Sequence, residues 1–163
     1  MQKPQESAVV PEIDGKQFAF EAGLIYSKPA NALVAVALLF LGESFVNGFG
    51  RSEVLVILAS LVSLPVLFLY PLLTSRDGAP PNRSVFGMLV RFGAFIPYGL
   101  GCYLTFYEGV WGLVQIFGGF SFSALLWSLA CCVLGLAIVN GMYRLTELCR
   151  AVDEHRIIVR RSG

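Results

Sequence analysis

Charged residues are scarce in this chain: 14% of its 163 positions, against about 25% in ordinary soluble domains. Histidine occurs once, as His155 near the C-terminus. A bis-histidine haem site inside an apolar bundle is thereby excluded, and so is a histidine-rich metal site. The four cysteines, Cys102, Cys131, Cys132 and Cys149, form no C-x-x-C pair. Cys131 and Cys132 fall inside an apolar tract, where cysteine behaves as a small hydrophobe. There is no G-x-x-x-x-G-K-[ST], no H-E-x-x-H and no G-x-S-x-G. Asp77 is the only aspartate outside the tails, so an intramembrane aspartate pair is excluded. A net charge of +1 supplies no basic stripe for phosphates, and nucleic acid is not an expected partner. No catalytic set, no metal and no cofactor is expected.

What is abundant is apolar side chain, at 56% of residues. A soluble domain of this size cannot hide that much. The apolar residues fall in blocks, and about 20 residues of helix cross a hydrocarbon core of about 30 Å. Four spans are expected, at about 29–48, 54–73, 85–107 and 121–143. Residues 109–120 read as a Gly-rich apolar connector, interfacial or re-entrant. Residues 1–28 read as an N-terminal tail, which the charges at Glu6, Glu12, Asp14 and Lys16 keep from being a signal peptide. Residues 146–163 read as a basic C-terminal tail that begins as a helical continuation. Arg144, Glu147, Arg150, Asp153 and Glu154 are spaced there for opposite-charge pairs. Two prolines in Ser75–Arg83 mark a turn between spans two and three.

Lys and Arg set the orientation. Ten of the twelve stand in the tails and the loop after span two, against Arg51 alone in the first loop. The fold class is thus an all-α integral membrane protein, a four-transmembrane-helix bundle with both termini cytoplasmic. A bacterial inner membrane is the expected location.

Charged and polar residues inside spans are costly, by about 2.5–3.5 kcal/mol on insertion scales, and become candidates by default. Counting helix rise puts Glu43 about 21 Å from the inner face and Arg91 about 10 Å. Ser60, Tyr98 and Ser128 share the Glu43 level within about 2 Å. The four could form one buried polar layer able to carry a proton or cation, or simply clamp helices together. Arg91 is assigned to Asn140, which falls at its depth on the returning span. Gly93, Gly101, Gly135, Ala137 and Gly141 offer small faces for close helix packing, and Pro65, Pro71 and Pro97 should kink spans two and three.

Three functions fit this pattern. The first is a non-enzymatic subunit or accessory component of a membrane complex, partnered by lipids and by itself or a larger membrane protein. The alternative is a small oligomeric transporter or channel using Glu43 as its ion site. A lipid-acting enzyme using Glu43, Tyr98 and Glu108 is disfavoured, since no nucleophile–base pair or metal set accompanies them.

Overall fold

The computed structural model describes residues 12–76, 85–116, 118–119, 121–154 and 158–160. The first eleven residues, positions 77–83 of the predicted Ser75–Arg83 turn, and most of the basic C-terminal end lie outside the described residues. The chain is a multi-pass bundle whose four long helical rods are each apolar enough to cross a membrane.

Helix α1 spans Gly15–Asn47 and α2 spans Arg51–Arg76. The third rod is built in pieces: α3 (Val85–Gly93), α4 (Phe95–Tyr103), a π-helical segment (Leu104–Trp111) and α5 (Gly112–Ile116). Helix α6 spans Phe122–Asp153. Two short strands, β1 (Glu12–Asp14) and β2 (Ile158–Arg160), pair in parallel with Ile13 opposite Val159. That pairing brings the two strands to one end of the bundle, here called proximal. The loop 48–50 and the start of α6 lie at the distal end.

The first helix starts fourteen residues before Pro29, so the segment 15–28 is helix rather than tail. Proline removes one hydrogen bond and bends a helix without having to end it. Here the Pro29 ring is buried, packed against α6 at Gly141. Phe18, Ala22, Pro29, Leu33, Val36, Phe40 and Ser44 lie on one face at helical spacing and form the buried stripe of α1. Thirty-three residues of helix measure about 50 Å, well beyond a hydrocarbon core of about 30 Å. Gly48 ends α1 with φ of 91°, and its N–H donates to the Ser44 carbonyl at 2.9 Å. That left-handed backbone favours glycine and lets the chain turn into α2.

Proline acts differently in the second and third rods. Helix α2 runs unbroken through Pro65 and Pro71. Three residues before Pro97 the third rod breaks at Ala94, whose N–H is shared between the Val90 and Arg91 carbonyls at 3.1 and 3.2 Å. The Pro97 ring cannot bond the carbonyl four residues earlier, at Gly93, and the turn tightens there.

The expected connector at 109–120 is helical over most of its length. The third rod passes Tyr107 and stays helical to Ile116. Its glycines serve contact rather than flexibility. A Cβ on Gly109 would overlap the Cys132 thiol, and one on Gly112 would overlap the Ser128 hydroxyl. Missing side chains thus let the rod lie against α6, where the Cys132 thiol donates to the Thr105 carbonyl at 3.7 Å.

Leu33, Val36, Leu67, Leu104, Ile138, Met142 and Leu145 fill the centre. The outward faces are apolar too, with Leu38, Leu55, Leu61, Phe92, Val133 and Leu136 all exposed. That is the surface a lipid environment requires. At the proximal end of α6, Arg150 pairs with Glu147 at 3.7 Å and with Glu154. Both pairs are exposed and contribute little to stability.

Candidate functional site

The predicted polar layer is taken apart by side-chain direction. Ser60 is fully buried, but its hydroxyl donates to the Val56 carbonyl of its own helix at 2.8 Å. Ser44 and Ser63 turn back in the same way, onto Phe40 and Ala59. Such back-bonding satisfies a hydroxyl in an apolar setting without reaching another helix. The Tyr98 hydroxyl lies 3.0 Å from the Thr146 hydroxyl near the proximal end of α6. Helical side chains tilt toward their own N-terminus, and for the third rod that end is proximal. The tyrosine oxygen therefore leaves the level of its Cα and does not join Glu43. Ser128 is buried against Gly112 at the distal end. Of the expected Arg91–Asn140 pair, Arg91 is half-buried on α3 and Asn140 is exposed on α6.

The small residues are spent inside the molecule. A Cβ on Gly101 would stand 2.7 Å from Val139 and 3.0 Å from the Gly135 carbonyl. One on Gly135 would stand 2.7 Å from the Gly101 carbonyl and 2.8 Å from the Thr105 nitrogen. Gly141 meets the Pro29 ring, Gly93 meets Val66 at 3.0 Å, and Ala137 packs at the edge of the core.

The polar groups that do converge are at the distal end, around Glu108. Its Oε1 accepts from the Tyr103 hydroxyl at 2.7 Å, and its Oε2 accepts from the Trp127 indole N–H at 3.4 Å. Tyr103 and Glu108 are five residues apart. On an ordinary α-helix that spacing splays two side chains; the i→i+5 closure of a π turn stacks them. The π-helical segment is thus what gives Glu108 its tyrosine. Tyr107 stacks on Tyr103 with centroids 5.2 Å apart and planes at 19°. Trp127 packs on Phe40 at 5.2 Å and 58°. Glu43, half-buried on α1, lies within electrostatic reach of Glu108 and of Glu53 on α2.

Between the π-helical segment, α5 and the start of α6 is an open cleft of about 420 Å³. Tyr107, Glu108, Trp111, Gln115, Trp127 and Ser128 line it. Its volume falls in the range of about 300–1,000 Å³ usual for small-molecule sites. No family model, curated protein or solved structure matches this chain. The chemistry of the site therefore rests on its own residues. Among the described residues no group of three His, Cys, Asp or Glu side chains converges on a metal position. The cleft offers one carboxylate, one amide, the hydroxyls of Tyr107 and Ser128, and three large rings. That set can bind and orient, but among the described residues it holds no nucleophile beside a base.

The Glu108–Trp127 pair is not legible in the sequence pattern. A third span that ends at Tyr107 places Glu108 in a loop and hides its register with Tyr103. The available signal is the run Tyr103, Tyr107, Glu108, Trp111, an aromatic cluster around a single acid.

Proposed function

We propose that this chain is a non-enzymatic subunit or accessory component of a membrane complex, working as a homo-oligomer or beside a larger membrane protein. One observation carries the reading. The interior of the four rods is closed by apolar side chains, and the buried Ser44, Ser60 and Ser63 spend their hydroxyls on their own helices. A solute path across the bundle needs polar lining, which a closed apolar centre does not offer. The second reading, a small transporter or channel, draws on the position of Glu43 beside Glu53 and Glu108.

Reconstitution separates the two. Liposomes carrying the purified chain should show proton and cation flux at the background level, and native mass spectrometry from mild detergent should show a multi-chain species. Flux above background that Glu43→Gln abolishes overturns the accessory reading, as does a chain that is monomeric whenever it is isolated from its native membrane.

The proposed membrane is a bacterial inner membrane with both termini cytoplasmic. The ten-to-one distribution of Lys and Arg supports it. A green fluorescent protein fused after Gly163 should fluoresce, and a periplasm-dependent phosphatase fused there should be inactive. An active phosphatase in that fusion reverses the orientation.

A further inference from the structure

We propose that the distal cleft binds the alkylated ammonium group of an organic cation, held between the rings of Tyr107, Trp111 and Trp127 with Glu108 as counter-charge. A cationic head over aromatic faces is attracted by the ring quadrupoles, most strongly by tryptophan. Both tryptophans of the chain line this cleft.

The lining excludes other occupants. Among the described residues no Lys or Arg borders the cleft, and Glu108 does, so an anion is disfavoured. A hard divalent ion takes six or more oxygen ligands, and one carboxylate with one amide and two hydroxyls does not approach that set. A lipid tail gains nothing from a carboxylate at the wall. A soft, weakly hydrated cation matches both the rings and the charge.

Two of the three rings are also braced before any ligand arrives. Tyr103 covers one face of Tyr107, and Phe40 packs against Trp127. The indole N–H of Trp127 points at Glu108 and ties the two walls together. Two of the roughly four acceptor positions of the carboxylate are occupied, so acceptor capacity and charge remain. Side chains already fixed cost less entropy on binding. The wider field has the right sign as well. Glu43 lies within electrostatic reach of Glu108 and of Glu53, while Arg51, at the same end of the bundle, is exposed on the surface.

The shared chemistry could be presented by a choline lipid headgroup or by a free quaternary ammonium solute. The experiment uses intrinsic fluorescence, because no tryptophan lies elsewhere in the chain. The full chain is placed in phosphatidylglycerol nanodiscs and titrated with choline, with tetramethylammonium and with the neutral carbon isostere 3,3-dimethylbutan-1-ol. The two cations should shift the emission saturably, and the isostere should not. Glu108→Gln should weaken the cation affinity by about tenfold or more. Where that variant is not monodisperse, Trp111→Leu serves instead; Trp111 is 54% exposed and lies outside the core cluster. It should weaken affinity several-fold, with Trp127 still reporting. Phosphatidylcholine nanodiscs distinguish the sources. Emission already shifted there, with no further response to free choline, assigns the headgroup; an unshifted spectrum that still titrates assigns the free solute. The proposal is overturned by an equal response to the neutral isostere, by unchanged affinity in the tested variant, or by no saturable shift in either lipid.

Discussion

Gly135→Val should cost the bundle roughly 3 kcal/mol and lower its thermal midpoint in detergent by roughly 6–12 °C. The reason lies in what a side chain would meet. Even a single Cβ at 135 would stand 2.7 Å from the Gly101 carbonyl and 2.8 Å from the Thr105 nitrogen. Both are backbone atoms of the third rod, which cannot rotate aside as a flexible side chain can. Adding the branch of valine forces α4 and α6 apart. The loss then spreads, because Leu104 and Ile138 fill the core on either side of that crossing. Apolar helices in lipid gain no hydrophobic energy from meeting each other, so close packing has to supply the attraction. The control is as informative as the variant. A Cβ added at Gly42 or at Gly99 would meet nothing within 4 Å. Gly42→Ala and Gly99→Ala should raise stability by up to about 1 kcal/mol through helix propensity alone. A thermal melt in which Gly135→Val and Gly99→Ala behave alike would mean that the α4–α6 crossing does not hold the bundle.

The same contrast shows what the amino-acid pattern can and cannot deliver. Four apolar blocks of spanning length predict four rods, and four rods are present. Boundaries depend on proline and glycine, and there the expectation fails twice. Pro29 reads as a helix start and is instead a buried ring seated on Gly141. Gly109 and Gly112 read as parts of an interfacial or re-entrant connector and are instead contact points against Cys132 and Ser128. Glycine reads the same in sequence whether it frees a chain or lets two helices touch. The site fails for another reason. Helix rise gives the height of a Cα, not where a long side chain ends. Tyr98 shares the level of Glu43 by that count, yet its hydroxyl finds Thr146 toward the other end. Rotation is invisible too, since rods that are apolar on every face carry no stripe to orient them. Ser60 is buried as a core-facing residue would be, but its hydroxyl faces its own backbone. The π turn that joins Tyr103 to Glu108 has no composition signature at all.

Glu108→Ala should destabilise the empty protein by roughly 2 kcal/mol, and Glu108→Gln by less than half as much. Alanine leaves two donors, the Tyr103 hydroxyl and the Trp127 indole N–H, without their acceptor. An orphaned donor away from water costs about 1–3 kcal/mol, and both of these side chains are only partly buried, which holds the sum near the lower end. Glutamine keeps one carbonyl oxygen and can serve one donor, so it loses the charge but not the whole network. Tyr103→Phe supplies the decisive comparison. Its hydroxyl has Glu108 as the acceptor across the π turn, so removing it from the Glu108→Ala background also removes one orphan. The double variant should therefore be less destabilised than the sum of the two singles, by about 0.5–1.5 kcal/mol. Additive losses in denaturant or thermal melts would show that the carboxylate does not organise the distal end. Coupling of the expected size would show that it does, and that the aromatic walls of the cleft are held in place by the same acid that gives the cleft its charge.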